Sequence, residues 1–273
     1  MAVAHGSKDP RAAATVAALM SALRDRTTPS VSAHAAFLGH SVPTLGQVLS
    51  GIAVSGSAAS NSGPRDVVVV PLLLTEAYHA VTDIPSQAAA ASARFPGLRV
   101  RQAAALGPHP LLLAALERRL AEAYGGTRAQ TGVVLAAAGS SDPEANASIA
   151  ALAARWQATG GWRRVVPSYA SAASPSPAEA VRALGAEGGP VVVATYLLAP
   201  GYFSDKITAT AGAAGAAAVS APLGAAPEVA DVVAERYLSA VQGRLPVNGP
   251  AGSGHAQAQV LFGSARTPLR MLL

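Results

Sequence analysis

Apolar positions in this chain fall into short uninterrupted runs separated by helical stripes, and the order of runs and stripes occurs twice. Asp66-Val-Val-Val-Val-Pro-Leu-Leu-Leu74 and Pro190-Val-Val-Val-Ala-Thr-Tyr-Leu-Leu198 are apolar at nearly every position. Runs without alternation suit strands covered on both faces, as in parallel sheets. Val31 to Leu38 and Arg164 to Ala170 read as a further pair of strands, and Leu98 to Ala103 is echoed by Ala216 to Ser220. Between the strands, Val16, Leu19, Met20 and Leu23 recur at helical spacing within Arg11 to Arg24, as Ile149, Leu152 and Trp156 do after Pro143. Leu106-Gly-Pro-His-Pro110 precedes a helix over Leu111 to Tyr124, and Leu223-Gly-Ala-Ala-Pro227 precedes one over Glu228 to Leu238.

Each half therefore spells strand and then helix four times. The pattern predicts an α/β protein of two tandem similar domains, each a mostly parallel four-stranded sheet flanked by helices. Gly125-Gly126-Thr127 is the natural joint, giving domains 1–126 and 127–244. From 245 to 273 the chain is rich in Pro, Gly, Ala and Ser and loses periodicity, which predicts a flexible tail. Gly51 to Pro64, rich in Ser, Gly, Ala and Asn, reads as a surface loop interrupting a helix. The run ahead of His5 is short for a strand, which points to a start upstream of Met1.

The two halves differ where chemistry matters. The opening Met1-Ala-Val-Ala-His5-Gly-Ser-Lys-Asp-Pro10 has a counterpart in Val134-Leu-Ala-Ala-Ala138-Gly-Ser-Ser-Asp-Pro143. His5, His79 and His109 of the first half align with Ala138, Phe203 and Ala226 of the second. In open α/β sheets ligands bind beyond the C-terminal ends of the strands, where His5 and His79 fall. There they can face each other as ligands for Fe, Co, Ni or Zn, or act as bases near neutral pH. A lone histidine at a strand end is more often a hydrogen-bonded structural residue; three in one half and none in the other favour a site kept on one side only. His109, between two prolines at a helix start, is the structural candidate. Gly6 and Ser7 open a helix whose free N–H groups can hold an anion. Lys8 and Arg11 are candidates for substrate carboxylates, Glu76 for a ligand or base, and Tyr78 and Tyr202 for stacking on a flat ligand, each with a plain rim residue as the alternative. Asp9 and Asp142 read as supports for helix starts.

Composition narrows the classes. With 51% hydrophobic residues in 273, a full core is within reach. The net charge of +5 comes from scattered residues with no Lys/Arg block and no interleaved aromatics, which argues against nucleic acid and for an acidic small molecule. No cysteine is present, so disulfides, thiolate metal sites and cysteine nucleophiles are excluded. No apolar run reaches the ~20 residues of a spanning helix and no secretory signal is visible, so no membrane partner and a cytoplasmic location are expected.

Taken together, Ala4-His-Gly-Ser-Lys-Asp-Pro10, the Pro71 to Pro85 segment and Leu106-Gly-Pro-His-Pro110 resemble the sirohydrochlorin chelatase family of cobalt and iron chelatases, in its long two-domain form, over roughly residues 1 to 244. The resemblance implies an ATP-independent class II chelatase that inserts Co²⁺ or Fe²⁺ into sirohydrochlorin on the routes to cobalamin and siroheme. The divalent metal is a substrate and no organic cofactor is implied. His5 and His79 then correspond to the metal-handling histidines, while Ser7, Lys8, Arg11, His40, Tyr78 and Tyr202 surround a sirohydrochlorin-type tetrapyrrole. The family usually has an acidic residue in a Phe-Leu-Glu motif; here Phe37-Leu38-Gly39 puts glycine there, followed by His40. His40 is a candidate for the missing ligand or base, although a one-residue shift along a strand normally turns a side chain to the other face. A non-catalytic tetrapyrrole- or metal-binding relative is the alternative, and a phosphate-handling enzyme built on Gly6-Ser7 a more distant one. Bis-imidazole sites accept cobalt, iron and nickel alike. The internal pseudo-twofold predicts a monomer.

Overall fold

In the computed structural model the described residues are 1–26, 31–57, 65–75 and 83–243. The first half contributes β1 (Ala2–Ala4), α1 (Pro10–Arg24), β2 (Ala35–Phe37), α2 (Leu45–Ser57), β3 (Arg65–Pro71), α3 (Ile84–Arg94), β4 (Leu98–Gln102) and α4 (Pro110–Ala123). The second contributes β5 (Gly132–Ala137), α5 (Pro143–Thr159), β6 (Arg164–Tyr169), α6 (Pro177–Ala186), β7 (Val191–Tyr196), α7 (Tyr202–Ala213), β8 (Ala218–Val219) and α8 (Pro227–Val241). Two four-stranded parallel sheets result, ordered β2-β1-β3-β4 and β6-β5-β7-β8. The strands read from the apolar runs are present, trimmed at their ends; β2 keeps only three residues of Val31 to Leu38.

The apolar runs are buried on both sides, and alternate positions enter different cores. Val68 and Val70 of β3 join Val133 and Leu135 of β5 and Val192 and Ala194 of β7 in one central cluster with Leu19, Leu116, Leu152 and Val229. Val67 and Val69 face outward onto Leu45, Leu49 and Ile84 of α2 and α3. Val191 and Val193 likewise meet Val181 and Ile207 of α6 and α7. Helices α1, α4, α5 and α8 thus form a middle layer between the two sheets. A fully buried leucine in that layer, such as Leu19 or Leu116, contributes about 2 kcal/mol of transfer free energy.

The last helix of each half is exchanged. α4 packs on β7 and α8 packs on β3, and the two helices pack on each other. Repeated local signals start the helices: Asp9 accepts from the Arg11 amide at 2.9 Å ahead of Pro10, and Asp142 accepts from the Glu144 amide at 2.9 Å ahead of Pro143. The stretch expected to be a loop from Gly51 is helical to Ser57, as the final turns of α2. Val48 and Ile52 pack on the outer core, and that burial outweighs the poor helix propensity of the surrounding Gly and Ser residues. Residues 58–64 of that stretch and the tail 245–273 lie outside the described residues.

Candidate functional site

The site is assembled where β1 and β2 run out. Strand pairing continues past both ends: the Leu38 amide donates to the Ala4 carbonyl and the Gly39 amide to the His5 carbonyl, each at 3.0 Å. Gly6 then turns with φ of 91°, a conformation that favours glycine. A Cβ there would lie 1.7 Å from the Gly39 carbonyl oxygen, so the two loops touch backbone to backbone. The Ser41 hydroxyl closes the contact, accepting from the Ser7 amide at 3.2 Å and donating to the Ser7 carbonyl at 2.9 Å.

The same close approach recurs in the second half, where a Cβ at Gly139 would lie 2.0 Å from the Ser171 carbonyl oxygen. Ser7 and Ser140 also act alike, each hydroxyl accepting from the amide two residues on, Asp9 or Asp142, at 3.0 Å. That bond belongs to the turn, since the half without His5 keeps it.

Strand alternation would turn His40 away from His5, and the structure departs from it. His40 lies beyond β2, at the centre of a three-residue turn closed by the Ser41 amide donating to the Gly39 carbonyl at 2.7 Å. Its φ is 59°, the rare positive-φ form of the γ-turn. Strand alternation does not hold there, and the His40 ring comes to 6.3 Å from the His5 ring, edge-on at 65°. Both imidazoles are exposed. A Cβ at Gly39 would meet nothing within 4 Å, so no crowding requires glycine at that position.

Around this pair the rim is formed by both halves. Arg11 is held between two carboxylates, 2.6 Å from Asp9 and 2.6 Å from Asp205 at the start of α7. Its guanidinium keeps both carboxyls below their ordinary range, and a substrate carboxylate would compete with them for it. Lys8 is exposed beside this clasp. Tyr202 is 73% exposed and stacks edge-to-face on Phe203 with ring centres 5.4 Å apart. The adjoining Gly201 approaches Ser7, whose Oγ would be 4.0 Å from a Cβ at 201, which sets the aromatic pair at the same mouth. Asp205 and Ser41 were not singled out from the sequence. The clasp to Asp205 crosses 194 positions, and no local pattern signals it. His79, Tyr78 and Glu76 lie outside the described residues.

His109 is a structural residue, as its setting between prolines suggested. Nδ1 accepts from the Leu111 amide at 3.2 Å, capping α4, and Nε2 meets Glu235 of α8 at 3.0 Å. A cavity of about 1000 Å³ lies at the opposite, N-terminal ends of β1 and β3, lined by groups such as His34, Val67, Val233 and Tyr237. It is remote from His5 and from the strand ends where α/β sheets bind ligands. No helix among the described residues is long and apolar enough to cross a membrane.

Comparison with known proteins bears on the family and the fold. The CbiX family model matches residues 1–123 and 132–240. A sirohydrochlorin ferrochelatase of Bacillus subtilis (strain 168) is 27% identical over 206 residues, covering 75% of this chain and 76% of the relative. A sirohydrochlorin cobaltochelatase of Priestia megaterium is 26% identical over 210 residues, covering 75% of this chain and 65% of the relative. SirB from Bacillus subtilis with Fe³⁺ superposes with a TM-score of 0.76 at 25% identity, over 89% of this chain and 95% of that one. The chain belongs to the CbiX family of sirohydrochlorin chelatases.

Proposed function

We propose that this protein inserts Co²⁺ or Fe²⁺ into sirohydrochlorin without ATP and without an organic cofactor. The observation that carries the reading is His5 at the end of the central strand β1, in a chain that matches the chelatase family model through both halves. Insertion requires that two pyrrole nitrogens lose their protons while a divalent ion is presented to the macrocycle face. Neutral imidazoles can accept the protons and hold the ion. In this reading His79, five residues beyond Leu74 and following the neighbouring central strand, shares the ion with His5. Lys8 attracts the carboxylates of the substrate, and the exposed Tyr202–Phe203 pair offers a face for the ring. One chain supplies both walls of the mouth, which supports a monomer; light scattering after gel filtration tests this directly.

The test is anaerobic spectrophotometry of sirohydrochlorin with Co²⁺ and then Fe²⁺, using the wild type, His5→Ala and His79→Ala. Insertion above the uncatalysed rate that disappears in either variant supports the chelatase. Gly39, in place of the acidic residue usual in the family, favours a second reading, a relative that binds a tetrapyrrole without metallating it. A shift of the pigment spectrum with no insertion would establish that reading instead.

A further inference from the structure

We infer that His40 is a metal ligand that joins His5 on the divalent ion before the macrocycle arrives. The inference deepens the chelatase reading and, for its role in loading, rests on it. Two imidazoles bound to one ion through one nitrogen each, at about 2.1 Å, place their ring centres roughly 5 to 6 Å apart. The rings of His5 and His40 already stand at 6.3 Å, and both are exposed side chains that small torsional changes bring onto a shared ion.

Comparing the two halves shows that the backbone does not require these rings. Ala172 sits at the position of His40, at the same φ of 59°, in a turn closed in the same way by the Ala173 amide and the Ser171 carbonyl at 2.8 Å. The Ser171 amide pairs with the Ala138 carbonyl just as the Gly39 amide pairs with that of His5. One scaffold therefore carries His and His in the first half, Ala and Ala in the second. Positive φ disfavours any residue with a Cβ, yet both halves keep it, so the angle belongs to the turn. In the first half it aims an imidazole at His5.

Sites that exchange ligands keep coordination positions open, and imidazoles at an exposed mouth can hand an ion on to pyrrole nitrogens. With glycine at 39, the pair offers nitrogen donors where the family pattern would supply a carboxylate.

The test titrates Co²⁺ alone, anaerobically, into the full chain, read by visible d–d absorption and by competition with a chromophoric chelator. The expected result is one Co²⁺ per chain, with affinity falling at least about tenfold in both His5→Ala and His40→Ala, and unchanged in His34→Ala. Ala172 shows that alanine fits the turn; circular dichroism verifies that His40→Ala is folded, and His40→Gly repeats the measurement without a Cβ. Wild-type affinity in both His40 variants overturns the inference and reduces the ring pair to an edge contact. So does a wild-type chain that binds no Co²⁺. Co²⁺ binding that needs both histidines, with no insertion into sirohydrochlorin, would instead sink the chelatase reading and leave the metal pair standing.

Discussion

Arg236, only 4% exposed, donates from Nη2 to the carbonyl oxygen of Leu106 at 3.1 Å, tying the last helix of the second half to the loop that ends the first sheet. The relationship is reciprocal. Arg119 of α4 donates to the carbonyl of Leu223 at 3.0 Å, and Leu223 stands in the second half where Leu106 stands in the first. Each exchanged helix therefore reaches back to the loop ahead of the other.

Replacing Arg236 by Ala removes a donor from a buried carbonyl and leaves a void in the middle layer. Such a loss costs about 2–3 kcal/mol. Guanidinium denaturation should show the decrease as a single transition, because the central cluster draws on both sheets. Tryptophan fluorescence, from Trp156 and Trp162 of the second half, should coincide with far-ultraviolet circular dichroism. Two separated transitions would contradict a shared core.

Gly6 and Gly39 should respond in opposite ways to a methyl group. At Gly6 an added Cβ collides with the Gly39 carbonyl and the backbone is at positive φ, so Gly6→Ala should destabilise by more than about 2 kcal/mol or prevent folding. At Gly39 the added atom meets open space, so Gly39→Ala and Gly39→Glu should melt within a few degrees of wild type. Thermal melts of the three variants decide the matter.

The clasp of Arg11 makes a pH prediction. Asp9 and Asp205 have their carboxyl pKa values lowered by hydrogen bonding to Arg11 in the folded chain. The stability they contribute is present above the ordinary carboxylate pKa, about 4, and is lost as the pH falls through their lowered folded values. Asp205→Asn should therefore melt slightly below wild type at pH 7 and lose less on acidification to pH 3. An identical acid response in the two proteins would show that the clasp is idle. Arg11 and Asp205 are well exposed, so the difference should shrink in 1 M salt.

Tyr196, buried at the end of β7, donates its hydroxyl to the carbonyl of Leu74 at 3.2 Å, across the two halves. Burial holds its phenol well above the usual tyrosine range, so it remains a donor at any working pH. Tyr196→Phe should lower stability by about 1 kcal/mol. It should also reduce the insertion rate at saturating metal beyond what the fraction folded explains, since Leu74 leads into the segment that carries His79. Insertion unchanged per folded molecule would confine Tyr196 to stability.

Much of the architecture was legible along the chain because its signals are local. The valine runs at 67–70 and 191–193 announce parallel strands, since strands buried on both faces tolerate no polar alternation. Asp-Pro before α1 and α5 marks the helix starts. His5 stands out from the residues alone, because the matching position of the second half is Ala138. α2 was harder to read, because the Gly and Ser residues after Gly51 carry weak propensity while the packing that keeps them helical is tertiary.

The sequence by itself determined two similar α/β halves, the order of their elements and the histidine that one half keeps, because strand and helix periods and helix caps act within a few residues. Only the tertiary structure decided that α4 and α8 trade sheets, that Arg11 answers to Asp205, and that His40 turns toward His5. These depend on groups far apart in the chain, or on one backbone angle of 59°, and neither leaves a trace in the spacing of residues.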